Sequence, residues 1–176
     1  MGKTIFISGP ARSGKSRLAM ELAKKSGKRV VFLATAQAFD PEMQRRIKAH
    51  QKARPAGWLT VEEPREVSAI IKKRSSQEIV LLDCLTLWIS NLLMAGQSVS
   101  AVNARIKKLA AAIKTCRAAA IVVSNEVGWG IVPENKLARD FRDIAGIANQ
   151  KIAAVSNEVY LVVSGVPVRI KGEDNG

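Results

Sequence analysis

The sequence has few of the residues that build metal clusters, disulfide frameworks and aromatic surfaces. Its 176 residues include two cysteines and one histidine, and aromatic residues make up 5%. Cys84 and Cys116 have no metal-ligand spacing and adjoin apolar runs, so we expect buried, reduced thiols. No segment is repeated or of low complexity. The length predicts one domain over residues 1–176.

Long apolar runs and acidic residues are also scarce. The most apolar stretch, Ile79 to Met94, contains Asp83, so it is not expected to span a membrane. The first apolar run is followed at once by a glycine-containing loop, so no signal peptide is expected either. Lys and Arg number 28 against 15 Asp and Glu, a net charge of +13. This charge suits nucleic acid, nucleotide substrates or a solvated basic surface. Because no basic tract is interleaved with aromatic residues, we expect no nucleic-acid partner.

A phosphate-binding motif is the strongest signal in the chain. Residues 9–16 have the form G-x-x-x-x-G-K-[ST] and follow the apolar run Thr4–Ser8. Such a loop surrounds phosphate oxygens with backbone N–H groups, and the next helix adds its positive end. Lys15 is predicted to contact the β- and γ-phosphates and Ser16 to ligate Mg²⁺. The residues predicted to bind nucleotide here are Gly9, Pro10, Ala11, Arg12, Ser13, Gly14, Lys15 and Ser16. Pro10 removes one backbone donor.

Short apolar strands alternate with helical patterns along the rest of the chain. This alternation predicts an α/β fold with a mostly parallel sheet, helices on both faces and an antiparallel hairpin at the carboxyl end. The predicted strands are 4–8, 29–34, 58–61, 79–83, 119–124, 159–163 and 166–170. The predicted helices are 16–25, 40–53, 65–74, 87–94, one along 102–113 and one along 137–152. Ligands bind at the carboxyl ends of such strands, so residues 9–16, 35–37, 83 and 124–126 should converge there.

Several residues near these strand ends are candidates for chemistry. Asp83 ends a buried strand and is predicted to hold Mg²⁺; its alternative role is to cap the next helix. His50 lies four residues from both Arg46 and Arg54, so a helix would bring them close together. A neutral His50 nitrogen could attack phosphorus while the arginines neutralise phosphoryl charge; the alternative is a solvated basic face. Glu62 could bind Mg²⁺, a base or a ribose, or belong to a charged turn.

Asn125 and Glu126 precede a glycine-containing segment, V-G-W-G, that ends at Gly130. The glycines indicate a flexible substrate loop. The alternative is an ordinary connection in which Trp129 packs against the core.

Taken together, these segments resemble the bifunctional adenosylcobinamide kinase/adenosylcobinamide-phosphate guanylyltransferase family of cobalamin biosynthesis. The resemblance covers nearly the whole chain. Its motifs include S-G-P-A-R-S-G-K-S at 8–16, A-T-A-Q at 34–37, R-I-K-A-H-Q-K-A-R-P at 46–55, L-L-D-C-L-T-L-W at 81–88 and S-N-E-V-G-W-G-I-V-P-E-N at 124–135. The family usually has a glycine where this chain has Pro10.

The resemblance implies a RecA-like P-loop NTPase fold and a cytoplasmic enzyme that forms homotrimers, with no stable membrane insertion. It implies two reactions with ATP, GTP and Mg²⁺: phosphorylation of adenosylcobinamide, then transfer of GMP from GTP to that phosphate. His50 would become guanylylated, with Lys15 also catalytic and Ser16 and Asp83 as metal ligands. Further nucleotide contacts would come from Ala34, Thr35, Ala36, Gln51, Lys52, Ala53, Arg54, Glu62 and Asp83. The alternatives are a single-function small-molecule kinase and a nucleotide-dependent nucleic-acid-binding protein.

Overall fold

A computed structural model describes residues 1–172, in which seven strands and six helices alternate along most of the chain. The strands are β1 (Thr4–Ser8), β2 (Arg29–Ala34), β3 (Leu59–Glu62), β4 (Glu78–Asp83), β5 (Ala119–Val123), β6 (Glu158–Val163) and β7 (Val166–Lys171). The helices are α1 (Lys15–Lys25), α2 (Pro41–Lys52), α3 (Val67–Lys72), α4 (Leu85–Met94), α5 (Val99–Thr115) and α6 (Lys136–Val155).

The strands form one sheet in the order β3-β2-β4-β5-β1-β6-β7. All neighbouring pairs are parallel except β6 and β7, which form the antiparallel hairpin predicted at one edge. Because β4, β5 and β1 are adjacent, the segments that follow their carboxyl ends lie next to one another. The predicted mixed sheet with an antiparallel edge is confirmed.

Alternate residues of the central strands enter two separate apolar cores. Helices α3 to α6 cover one face, where Trp88, Leu92 and Ile144 pack against Phe6 and Leu82. Helix α1 covers the other face, where its Ala19 and Ala23 pack in one cluster with residues of four strands, namely Ile7, Phe32, Leu81 and Ile121. Burial on both faces explains why these strands are nearly continuous apolar runs.

Helix α3 is shorter than the predicted span of residues 65–74. The Glu63 carboxylate accepts hydrogen bonds from the backbone N–H groups of Arg65 and Glu66, at 2.9 and 2.8 Å. These bonds hold the chain in a turn, so the helix begins only at Val67. A side chain that bonds nearby backbone competes with helix formation, and propensity alone does not detect this competition.

Both cysteines are free and buried, as predicted. The Cys116 thiol contacts the carbonyl of Ile71 at 3.1 Å. Burial raises the pKa of the Cys84 thiol to about 11, so that thiol stays protonated and unreactive near neutral pH. Within residues 1–172, no helix is both long and apolar enough to cross a membrane.

Candidate functional site

The loop between β1 and α1 has the open conformation that phosphate binding requires. Gly9 and Gly14 have φ angles of 151° and 96°, and Arg12 adopts a left-handed φ of 58°. A side chain at Gly9 would meet the Val162 carbonyl oxygen at 2.3 Å, so only glycine fits there. Gly14 starts α1 without a side-chain cap, which leaves the first helical N–H groups available to an anion.

Lys15 is held inside this loop. Its ammonium group donates to the Pro10 carbonyl oxygen at 2.6 Å and lies 3.5 Å from Ser13 Oγ. The side chain is buried, and burial lowers the pKa of Lys15; the negative charges of Asp83 and Glu126 oppose this shift. Pro10 therefore removes one donor from the loop but supplies the acceptor that holds Lys15.

Asp83 lies at the carboxyl end of β4, opposite the start of α1. Burial raises the pKa of its carboxyl group, whereas a hydrogen bond from Ser16 and the positive charges of His50, Lys15 and Arg54 lower it. Asp83 does not cap α4, because the N-cap residue of that helix is Cys84. The alternative interpretation of Asp83 as a helix cap is therefore wrong.

Thr35, which follows β2, connects this strand end to β4. Its hydroxyl accepts a hydrogen bond from the Cys84 N–H at 2.9 Å and donates to the Cys84 carbonyl at 2.8 Å. Its own N–H donates to the Asp83 carbonyl, and its carbonyl accepts from Asn91 Nδ2 at 2.7 Å. Every polar atom of Thr35 is thus used within the protein. Ala34 is buried beside it, so the half-buried Ala36 is the most accessible of the three residues predicted to contact nucleotide.

His50 lies in the last turn of α2 and is exposed. Helix α2 has no buried residue. The charge of His50 lowers the pKa of Asp83, as does that of Lys15, so the only histidine of the sequence lies within electrostatic range of the strand end that carries Asp83.

The two arginines near His50 differ in their surroundings. Arg46 pairs with Glu42 on the solvent side of α2, at 2.5 Å. Arg54 lies beyond the helix end, with its guanidinium carbon 4.0 Å from the centre of the Phe32 ring and Nη1 3.4 Å from Thr60 Oγ1. Burial lowers the pKa of Arg54, and the charges of Asp83 and Glu62 oppose the shift. Of the two, only Arg54 is directed toward the candidate site; Arg46 belongs to a solvated face.

An open cleft of about 500 Å³ extends from Arg54 along the end of β3. Gln51 and Glu62 lie on its wall, with Gln51 Nε2 donating to Glu62 Oε1 at 3.1 Å. The remaining lining residues are Pro55, Ala56, Gly57, Trp58 and Thr60. The cleft combines an aromatic side chain, amide donors and a carboxylate acceptor, as sites for planar heterocycles do. Lys52 and Ala53, predicted nucleotide contacts, are exposed and do not line it.

Glu126 follows β5, the strand between β4 and β1. Its N–H donates to the Gly9 carbonyl at 3.0 Å, and its Oε1 accepts from Asn149 Nδ2 at 3.0 Å. Asn149 is a site residue that sequence reasoning missed. It is a buried polar residue beside the apolar stripe of α6, and this pattern is the only signal in the sequence that could have identified it.

The segment after Glu126 is open to solvent. Trp129 is 65% exposed, so its predicted alternative role as a packing anchor is wrong. Ile131 and Val132 are also exposed, at 96% and 58%. A second open cleft, of about 550 Å³, lies between this segment and α6.

Within residues 1–172, no group of three or more His, Cys, Asp or Glu side chains could hold a metal ion. A Mg²⁺ ion bound with nucleotide does not need such a group, because phosphate oxygens and water fill most of its positions. The hydrogen-bonded pair of Ser16 and Asp83 supplies a hydroxyl and a carboxylate beside the loop. These residues fit that kind of ion.

Two solved structures are similar in fold. The RadB recombinase crystal structure matches with a TM-score of 0.53 and 17% identity, covering 91% of this chain and 74% of that one. A structure from Pyrococcus horikoshii OT3 matches with a TM-score of 0.55 and 13% identity, covering 99% and 88%. Because the identities are this low, the two matches show the fold alone; they confirm the predicted RecA-like arrangement.

The sequence comparisons are more specific. The bifunctional adenosylcobalamin biosynthesis protein CobU of Escherichia coli strain K12 is 46% identical over 180 residues, covering 95% of this chain and 99% of that protein. CobU of Salmonella typhimurium strain LT2 is 44% identical with the same coverage. The Pseudomonas aeruginosa protein CobP is 43% identical, covering 96% of this chain and 97% of its own. The family described as cobinamide kinase / cobinamide phosphate guanyltransferase matches residues 5–170. The chain therefore belongs to the cobinamide kinase / cobinamide phosphate guanyltransferase family.

Proposed function

We propose that this protein phosphorylates the aminopropanol hydroxyl of adenosylcobinamide with ATP or GTP. It then transfers GMP from GTP to that phosphate, through a guanylylated His50, and forms adenosylcobinamide-GDP. Family membership and the relatives' names support both activities. The observation that carries the chemistry is the position of His50 in the last turn of α2, next in the chain to the cleft residue Gln51 and within electrostatic range of Asp83.

The arrangement of the two nucleotide-binding features explains how His50 could act at the α-phosphorus. The P-loop would hold the β- and γ-phosphates. The Lys15 ammonium group would then exchange its hydrogen bond to the Pro10 carbonyl for bonds to phosphate oxygens. The cleft containing Gln51 and Glu62 would hold the guanine base, whose N1–H and amino group need an acceptor. The α-phosphate then lies between loop and cleft. His50 immediately precedes Gln51 in the chain, so a histidine nucleophile lies at the cleft end of this arrangement.

The guanylyl transfer would proceed in two displacements. A neutral His50 nitrogen attacks the α-phosphorus, the bond to the β-phosphate oxygen breaks, and pyrophosphate leaves. The phosphate of the second substrate then attacks the same phosphorus and releases His50. A covalent intermediate of this kind divides one difficult transfer into two easier ones. Arg54 and Lys15 would stabilise the negative charge on the phosphoryl oxygens.

Ser16 and Asp83 are the residues that would hold Mg²⁺. When bound, the ion would supply positive charge to the phosphate oxygens of the nucleotide.

Labelling with GTP that carries the label at the α-phosphate tests the proposal. The wild-type protein should acquire an acid-labile, alkali-stable label, and His50→Ala should acquire none. Lys48→Ala is the matched control, because Lys48 is exposed on the same helix but faces another direction. If His50→Ala were labelled as fully as the wild type, the nucleophile would be another residue. If γ-phosphate were transferred to adenosylcobinamide without any α-label on the wild type, the protein would be a single-function kinase.

We further propose a cytoplasmic homotrimer that has no nucleic-acid partner. Exposed apolar side chains on the edge strand β7, at Val166, Val168 and Ile170, are candidates for contact between subunits. Analytical ultracentrifugation tests the trimer, and a monomer at micromolar concentration would contradict it. Nucleotide turnover stimulated by DNA or RNA would instead favour the nucleic-acid alternative.

A further inference from the structure

Glu126 is an acidic side chain at the P-loop edge that neither the guanylyl transfer nor the Mg²⁺ pair uses. It is half-buried at the carboxyl end of β5, between β4 with Asp83 and β1 with the P-loop. Its backbone N–H is bonded to the Gly9 carbonyl, which fixes its position relative to the first P-loop residue. Its charge acts on the Lys15 ammonium group. Glu126 therefore lies near the group that binds the β- and γ-phosphates.

The Glu126 side chain is also oriented before any substrate binds. Asn149 Nδ2 donates to Oε1 at 3.0 Å, and Asn149 is itself fixed because its Oδ1 accepts from Ser124 Oγ at 2.7 Å. A second bond from Asn149 Nδ2 reaches the Asn125 carbonyl at 3.3 Å. The other carboxylate oxygen of Glu126, Oε2, accepts no hydrogen bond from residues 1–172. The carboxylate is thus held through one oxygen and has the other available to accept a proton.

Space for an acceptor molecule lies next to Glu126. The open cleft of about 550 Å³ begins at Gly128, two residues after Glu126, and ends at Gln150, the residue after Asn149. The cleft at Gln51 and Glu62 lies instead beside β3, at the far end of the sheet order from β1. Strands β2 and β4 lie between β3 and β5, and the two clefts share no lining residue. The two clefts are therefore separate, which allows a nucleotide base and an acceptor alcohol to bind at the same time.

We propose that Glu126 is the catalytic base of the phosphoryl-transfer step and that Asn149 is its positioning residue. The proposal rests on the proposed kinase activity. The acceptor hydroxyl oxygen attacks the γ-phosphorus, the bond to the β-phosphate oxygen breaks, and the nucleoside diphosphate leaves. The hydroxyl proton moves to Glu126 Oε2. His50, in the last turn of α2, acts at the α-phosphorus. The two reactions therefore use different side chains around one bound nucleotide.

The test measures two reactions in the same preparation of full-length protein. Phosphorylation of cobinamide is followed with ATP labelled at the γ-phosphate, and guanylylation of the protein with GTP labelled at the α-phosphate. Glu126→Gln keeps the shape and the bond to Asn149 but removes the base. We expect its kcat for phosphorylation to fall by about 10²- to 10³-fold, within the range typical of a general base. KM for ATP and the extent of guanylylation should stay within about threefold of the wild type, because neither depends on proton removal.

Two further variants complete the test. Glu134→Gln, an identical change at an exposed position in the same loop, should leave both reactions unchanged. Asn149→Ala should lower kcat for phosphorylation by about tenfold without lowering guanylylation, since it leaves the base present but mobile.

The outcomes separate this proposal from the proposed function. If Glu126→Gln phosphorylated cobinamide within threefold of the wild type, Glu126 would not be the base. If phosphorylation and guanylylation fell together, Glu126 would act on the triphosphate or its metal ion and the proposal would be wrong. If the wild-type protein transferred no γ-phosphate, the kinase activity would be refuted and the role of Glu126 with it.

Discussion

Replacing Thr35 by valine tests whether the hydroxyl of this residue holds the strand end that carries Asp83. Thr35 is fully buried, and its Oγ1 bridges the N–H and carbonyl of Cys84. Valine has nearly the same volume but has no hydroxyl. The Cys84 carbonyl keeps a second partner, the Trp88 N–H at 3.2 Å. The Cys84 N–H loses its only partner in this structure, and an unpaired buried donor costs about 1–3 kcal/mol.

We therefore expect Thr35→Val to lower the free energy of unfolding by about 2 kcal/mol. For a chain of this size, that loss corresponds to a decrease in Tm of about 4–8 °C. Urea unfolding followed by circular dichroism measures the first quantity, and calorimetry measures the second. Nucleotide affinity should also fall, because Asp83 directly precedes Cys84.

Two control variants are compared with Thr35→Val. Thr35→Ser keeps the hydroxyl and loses one methyl group, so it should cost about 1 kcal/mol and retain nucleotide binding. Thr115→Val removes an exposed hydroxyl that bonds a helix carbonyl at 2.9 Å and should cost less than about 0.5 kcal/mol. A Thr35→Val protein as stable as Thr115→Val would refute the reasoning.

Two other substitutions test the electrostatics and the base cleft. The folded-state pKa of Asp83 is raised above its ordinary value of 3.8, so its contribution to stability is present at pH values below 3.8 and is lost as the pH rises through the folded-state pKa. The Asp83→Asn side chain is neutral at every pH, so at pH 7 this variant should need more urea to unfold than the wild type. The difference in stability should narrow toward pH 4, and both transferase activities should fall. A variant less stable than the wild type at pH 7 would contradict this reasoning. Glu62→Gln should raise KM for GTP in guanylylation by about 10-fold or more, because a charged acceptor in the cleft is lost. The same change should alter KM for ATP in phosphorylation by less than threefold. Equal effects on ATP and GTP would show that Glu62 does not recognise guanine.

The elements of this fold are well encoded in local sequence. The apolar runs that become β1, β2, β4 and β5 are buried on both faces, so their lengths and bounds could be predicted closely. The P-loop followed from residue types at fixed spacing. The order of strands in the sheet did not, because it depends on long-range packing that leaves no local pattern. Helix α3 was predicted too long because Glu63 bonds the backbone before it.

The candidate site was only partly predictable for the same reason. Asp83 could be identified because a carboxylate ends an apolar strand. By contrast, the contact of Arg54 with Phe32 joins residues from the end of α2 and from β2, and spacing alone suggested that Arg54 would accompany His50. The hydrogen bond from Asn149 to Glu126 joins residues 23 positions apart in the sequence, one in the middle of α6 and the other in a loop. Contacts of this kind depend on how the helices pack against the sheet.

The covalent role of His50 is tested most directly by a chase experiment. The protein is labelled with GTP at the α-phosphate, freed of nucleotide, and then mixed with adenosylcobinamide phosphate. We predict that the label leaves the peptide that contains His50 and appears in adenosylcobinamide-GDP, in an amount equal to the label lost. A label that remained on the protein, or that was located on a residue other than His50, would contradict the account.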